Sequence, residues 1–434
     1  MNFNRMRALL LEHAIQGKLV PQLDDEPDVE QIGKTREEVP FDIPKKWKWL
    51  PLKVVCKDFL VPMRDKPTFS NNQMDTPWCR IEDIVEGKYL RGSKSARFLS
   101  EKTIQDMNLK VNPVGTVISA CSASIGAAAV VETQCCTNQT FIGLVCDEQH
   151  LFNWYLYFVL KSAKQRLVDI GTGTTIKYIS RKKYEEFLIP VPSLSEQRRI
   201  VAKLEESFAE IARAEKAYEE LQTLAGVLRG QILQEAIQGK LVPQLVSDGV
   251  TKQIAEAPEE VPFDIPNTWS WIRGEELAVK RKTIDPSTLT NDEIELWSIP
   301  AYDAGVAEKV SPGDIGSSKK VVQAGDVLLA KIVPHIERVW IVSESANSLM
   351  KLASTEWLVY ASELFLPEFM GLLFRSPYFR TKMMESVSGM GSLKRANPRT
   401  LAKVWLPVPP IKEQERIVIK VETLLKQVNL LLTK

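Results

Sequence analysis

Apolar residues recur every three to four positions after Glu196: Ile200, Leu204, Phe208, Ile211, Tyr218, Leu221, Ala225, Leu228, Ile232 and Ala236. One polar residue, Glu215, interrupts the series. A repeat near 3.5 residues is the seam of a coiled coil, so the pattern predicts a helix of about 45 residues, roughly 65 Å long. Ser195 is its expected N-cap, and Gly226 and Gly230 are candidate bend points. The C-terminal segment repeats the seam at Ile417, Val421, Leu424, Val428 and Leu431, and the N-terminal one offers Met6, Leu9, Leu10 and His13. Between these helices lie short β-type runs at 114–120, 127–131, 140–146, 327–332, 339–342 and 356–360. Longer helical runs follow at 152–167 and 367–386. Mixed α/β heads on long helices are the predicted architecture.

The chain repeats itself. Ala14-Ile-Gln-Gly-Lys-Leu-Val-Pro-Gln-Leu23 recurs letter for letter from Ala236, and Glu37-Glu-Val-Pro-Phe-Asp-Ile-Pro44 recurs from Glu259, both at an offset of 222. A Trp-x-Trp pair follows each, at Trp47 and Trp49 and at Trp269 and Trp271. A third block pairs Leu188-Ile-Pro-Val-Pro192 and Glu196-Gln197-Arg198-Arg199-Ile200 with Leu406-Pro-Val-Pro409 and Glu413-Gln414-Glu415-Arg416-Ile417. Between the blocks the halves have diverged, apart from echoes such as Gly115–Ala120 against Gly325–Ala330. These landmarks divide the chain into an N-terminal helix (1–23), an acidic linker (24–46), a first head (47–190), a central helix (191–245), a linker (246–268), a second head (269–407) and a C-terminal helix (408–434). The expected fold is two mixed α/β domains separated by long antiparallel coiled-coil helices, with circular pseudo-two-fold symmetry and adjacent termini.

Charge narrows the function. Lys and Arg number 56 against 55 Asp and Glu, a formal +1, which excludes a polycation holding nucleic acid by bulk charge. The acidic linker offsets a modest basic excess in the first head. No apolar run reaches the ~20 residues of a membrane span, and the N-terminus lacks a signal-peptide core, so a cytoplasmic protein is expected. Six cysteines without a CxxC motif and three dispersed histidines argue for reduced thiols and no metal site.

Two basic stretches stand out. Lys88, Tyr89, Arg91, Lys94 and Arg97 place cations every third residue beside an aromatic ring, a pattern suited to phosphate and base-edge contact or to a solvated loop. Thr174, Thr175, Lys177, Tyr178 and Arg181 follow a Gly-x-Gly, as Ser392, Lys394 and Arg395 do in the second half. That the layout survives in otherwise diverged heads favours contact with DNA over a plain turn. Catalytic patterns are missing: there is no Asn/Asp-Pro-Pro-aromatic motif for adenine methylation, no G-x-x-x-x-G-K-[ST] loop and no triad signature around His13, His150 or His335.

The Ala-Ile-Gln-Gly-Lys-Leu-Val-Pro-Gln blocks, the Trp-x-Trp entries and the Pro-Val-Pro…Glu-Gln-x-Arg-Ile exits resemble the specificity subunit of type I restriction-modification systems along the whole chain. The resemblance implies a non-catalytic subunit whose two target recognition domains each read half of a split, asymmetric double-stranded DNA sequence. It implies that the repeated helices set the spacing and dock two methyltransferase subunits, with Ile200, Leu204, Phe208, Ile211, Leu221, Leu228, Ile417, Val421 and Leu424 as candidate docking residues. S-adenosylmethionine, ATP and Mg would be bound by the methyltransferase and restriction subunits. A specificity chain serving a fused methyltransferase-nuclease, and a helical scaffold with no DNA role, remain alternatives.

Overall fold

The computed structural model describes residues 2–32, 39–62, 66–174, 176–251, 258–344, 349–389 and 394–433. Its longest element is the helix Leu194–Ile237, 44 residues that run on through Gly226 and Gly230. The chain divides into two compact units, 1–217 and 218–434, and the division falls inside this helix. Each unit has the same order: a helix ending in the Ala-Ile-Gln-Gly block, a head, and a helix beginning at the Glu-Gln block. The last helix of the first unit continues, without a break, as the first helix of the second.

The two helices of each unit pair antiparallel. In the first unit Arg7 of the helix Phe3–Ile15 bonds Glu215 at 2.5 Å, while Gln22 beyond that helix reaches Glu196. Glu215, the polar break in the seam, is therefore an interhelical ion-pair position. In the second unit Arg229 meets Asn429, and Gln244 meets Glu413, on the helix Ile411–Thr433. The central helix also starts slightly earlier than expected. Ser193, not Ser195, accepts the Glu196 N–H, at 3.2 Å, because the first turn already includes Leu194 and Ser195.

Each head is entered and left through one two-stranded ladder. Lys48–Pro51 pairs with Leu188–Val191, and Ser270–Arg273 pairs with Trp405–Val408. The Trp-x-Trp and Pro-Val-Pro blocks, far apart in sequence, are thus partners. In the first head a six-stranded sheet has the order Cys56–Leu60, Phe141–Cys146, Val117–Ala120, Ala128–Val131, Tyr89–Leu90, Ile84–Val85. Its central strands are buried on both faces, which explains their continuous apolar runs. Val117, Ala128 and Val130 join one core, while Ile118, Ala129 and Val131 join another on the opposite side. The second head has a five-stranded and a three-stranded sheet, the latter centred on Val327–Ala330. Both predicted helical runs break into two. Asn153–Ser162 is followed after Ala163 by Lys164–Ile170. Pro367–Arg375 gives way to Pro377–Glu385, because Pro377 cannot continue a helix and the Ser376 hydroxyl caps the new one.

The repeated letters form one repeated bonding network. Trp47 Nε1 donates to Glu196 at 2.8 Å, and Trp269 Nε1 donates to Glu413 at 3.0 Å. Gln197 donates to the carbonyls of His150 and Pro192 and accepts the Phe152 N–H; Gln414 does the same with Leu364, Pro409 and Leu366. Arg199 holds the Pro21 carbonyl and Glu26, as Arg416 holds the Pro243 carbonyl and Asp248. Gly17 and Gly239 are left-handed, at φ 70° and 69°, and a Cβ on either would sit 2.3 or 2.5 Å from Pro44 or Pro266. Only glycine fits there. All six cysteines are buried free thiols, and all belong to the first unit.

Burial raises the pKa of Glu196, against the Trp47 and Gln22 donors that lower it. Replacing Glu196 by Ala orphans those donors and is expected to cost about 1–3 kcal/mol in urea unfolding. Adding W47F to E196A should cost far less than the sum of the single changes. For Glu26 burial also raises the pKa, but Arg199, Ser195 and Lys46 outweigh it, so the carboxyl lies below its ordinary 4.5. Its pairing therefore contributes stability above that pH and loses it on acidification. The stability gap between wild type and R199M should be widest at neutral pH and narrow as pH falls below 4.5.

Candidate nucleic-acid interface

In both heads the central strand runs into a strained turn. Val117–Ala120 leads to Ala123 at φ 56°, and Val327–Ala330 leads to Val333 at φ 47°, both non-glycine residues in the left-handed region. Such residues cost on the order of 1–2 kcal/mol and gather where a loop shape is needed for function. The two turns hold the same relation to the basic loop that follows a Gly in each head. The Ile179 N–H donates to the Cys121 carbonyl at 2.8 Å, and the Ala396 N–H donates to the Lys331 carbonyl at 2.8 Å. Ser122 bridges Tyr178, as Ile332 bridges Arg395. Matching of these bonds aligns Lys177 with Lys394 and the helix caps Ser180 and Asn397 with each other.

Lys177, Lys394 and Thr174 are exposed on these loops. The Lys177 ammonium donates to the Val168 carbonyl at 3.1 Å and keeps further donors free. Tyr178 is half-exposed, its backbone paired with Thr172. Arg181 and Arg395 are engaged by Glu185 and Glu356 at 2.7 and 3.3 Å. Thr175 and Ser392 lie outside the described residues.

The stretch 88–97 has a different character. Lys88 is half-buried, 4.9 Å from the Tyr89 ring centre and 3.8 Å from Glu205 of the central helix. Arg91 bonds Glu132 at 2.6 Å while lying over Tyr89, and Arg97 sits between Phe69, Trp78 and Glu82. The Lys94 ammonium donates to the Ile84 carbonyl. Arg91 and Lys94 are nevertheless exposed, and Lys88 and Arg97 are partly so. Among the described residues no hydrogen bond or ion pair joins this stretch to the Lys177 loop.

Of the candidate docking residues, Ile200, Leu204, Ile211, Ile417 and Val421 are buried by the chain itself, and Phe208, Leu221 and Leu424 are partly so. Leu228 is exposed, with Leu224 and Val227 beside it at one helical face. The seam residues around Ile200–Ile211 and Ile417–Val421 thus serve packing within the chain, whereas Leu228 does not. The turns at Ala123 and Val333, and Lys161 and Lys164 after the apolar body of their helix, were not singled out by sequence. The letters 121–126 and 331–336 share almost nothing, so only backbone geometry reveals their equivalence. Among the described residues no three potential metal ligands cluster, and no helix is long and apolar enough to cross a membrane.

A duplicated anchor carrying two unlike heads, each with a basic loop braced against a strained turn, defines a modular recognition protein. Residues 44–223 match the family model described as the type I restriction modification DNA specificity domain. The EcoDI specificity subunit of Escherichia coli is 25% identical over 298 residues, 63% of this chain and just under two thirds (65%) of the relative. The EcoBI specificity subunit of Escherichia coli is 23% identical over 379 residues, 83% of this chain and 77% of the relative. The solved HsdS subunit from Thermoanaerobacter tengcongensis shares the fold, with TM-score 0.57 and 18% identity over 90% of this chain and 92% of that one. Residues 44–223 are thus similar to a type I DNA specificity domain, and most of the chain is similar in sequence or fold to specificity subunits.

Relaxing the strained turn should be inexpensive. Glycine adopts φ 47° freely, so V333G is expected to unfold at or above the wild-type temperature, although Val→Gly in ordinary backbone is destabilising. A clear drop in the thermal midpoint would show that the Val333 side chain, not the turn, matters there.

Proposed function

We propose that this chain gives a type I restriction-modification complex its DNA specificity by reading a split, asymmetric target, one half with each head. The observation that carries the reading is the contrast between the heads and their attachment. The anchor bonds are the same in both units, while the head surfaces they carry differ in sheet composition and loop sequence. Unlike readers on like mounts suit a target with unlike halves. Lys177 and Lys394, at equivalent places, would contact the DNA backbone, and neighbouring side chains of each head would reach base edges. The near-neutral total charge suits a subunit that shares its DNA electrostatics with partners.

Those partners are two methyltransferase subunits, joined by restriction subunits, in the cytoplasm. S-adenosylmethionine, ATP and Mg belong to them, and methylation of adenine and cleavage of DNA are their chemistry. Exposed apolar positions on the helices, Leu224 and Val227 with the exposed seam residue Leu228, supply docking surface that the buried seam residues do not. L224E/V227E should leave the chain folded and lower the amount of methyltransferase that copurifies with it.

Mapping methylated adenines in the genome of the host, with this chain as its only specificity subunit, tests the reading directly. A two-part motif with unlike halves is expected. Exchange of 47–190 for the corresponding head of a relative should change one half of that motif and leave the other. A change in both halves would refute the modular assignment. K177A and K394A should each weaken DNA binding by the assembled complex and lower its dependence on salt.

A further inference from the structure

The first head contains an open cleft of about 940 Å³ between the strained turn, the helices Asn153–Ser162 and Lys164–Ile170, and the basic loop. Lys161, Lys164 and Lys177 line it together with Ser124 and Gly126, and among the described residues no carboxylate does. Lys161 and Lys164 make no hydrogen bond or ion pair among the described residues. The arrangement is built, not incidental. Gly126 is left-handed at φ 93°, and a Cβ there would lie 2.4 Å from Lys164 Cγ, so glycine is what lets the Lys164 stem lie along the turn. Burial, and then the charge of Lys164, pull the pKa of Lys161 down. Cations gathered in a concave site without a counter-charge leave a positive field that an anion relieves.

The described residues of the second head do not repeat this cluster of lysines. Phe152 and Leu366 are held alike by Gln197 and Gln414, which aligns Lys161 with Arg375 and Lys164 with Tyr378. Arg375 donates to the Val339 carbonyl, Tyr378 to the Trp405 carbonyl at 2.8 Å, and nearby Arg380 to the Pro334 carbonyl. Glu337, exposed at this edge, carries a charge that faces both arginines. Of the residues at the equivalent place, Arg375, Tyr378 and Arg380 are thus engaged within the head, while Lys394 stays exposed.

We propose that the Lys161–Lys164–Lys177 cleft is a phosphate-binding site of the first head alone, which grips one phosphodiester of the DNA backbone beside the bases that this head reads. The proposal rests on the DNA-reading function given above. Three flexible ammonium groups recognise charge, not base identity, so the site would fix the head's register on DNA while leaving its sequence preference to other residues.

The test uses the full chain assembled with its methyltransferase partner. Affinity is measured against salt concentration for the mapped target and for targets altered in the half read by the first head. K161A/K164A is expected to lower the salt slope by about one and affinity by roughly tenfold, equally for all sequences, with K161R/K164R restoring both. A second arm titrates the full chain with inorganic pyrophosphate at low salt and follows thermal unfolding. A stabilisation lost in K161A/K164A, together with an unchanged DNA slope, would assign the cleft to a small phosphate compound and overturn the DNA assignment. An unchanged slope with no pyrophosphate effect would overturn the site altogether. If the wild-type complex shows no sequence-dependent binding, the function proposed above fails, and the pyrophosphate arm still decides whether the cleft binds phosphate.

Discussion

A buried carboxylate held by an indole N–H is the constraint on which the rest of this structure depends. Glu196 and Glu413 each sit almost sealed from water at the first turn of a helix, and each receives the N–H of the tryptophan that begins a head. A buried carboxylate without donors is costly, so once this pairing exists its neighbours are constrained too. The glutamine that follows binds three backbone groups of the head, and the arginine two positions further on closes over the preceding loop. None of these side chains can change alone without leaving a polar group unmatched. That is a physical reason for the Trp-x-Trp and Glu-Gln-x-Arg blocks to recur while the heads around them drift.

Much of the frame was legible for the same reason. Identity at a fixed offset exposed the duplication, and the 3.5-residue spacing gave the central helix to within a residue or two at each end. The spacing could not distinguish a face buried within the chain from one offered to a partner. Ile200 and Leu204 look from sequence like Leu228, yet only Leu228 is exposed. Pro377 stops a helix that the apolar pattern alone carries onward.

The interface was less legible, because its equivalences are carried by backbone. Ala123 and Val333 share a left-handed conformation, and the residues two places before them accept equivalent amides, but they share no letter context. Lys88 and Arg97 illustrate the opposite case. Their spacing is that of a nucleic-acid contact, but it gives no sign that Trp154 and Glu205 lie against Lys88, or Phe69 and Glu82 against Arg97. A basic stretch read in one dimension gives no information about such partners. The Lys177 loop stood out because its layout occurs twice, and repetition inside one chain is information that a single stretch lacks.

The distribution of cysteine has a practical consequence. All six thiols lie in the first unit and are buried, and burial raises Cys121 to about 11 and Cys136 to about 12. Because the thiolate is the reactive form, an alkylating reagent meets almost none of it while that head is closed. The second unit carries no cysteine at all. Alkylation under native conditions therefore reports the opening of one head in the presence of the other, a natural label that distinguishes the two readers by mass alone, without any engineered residue.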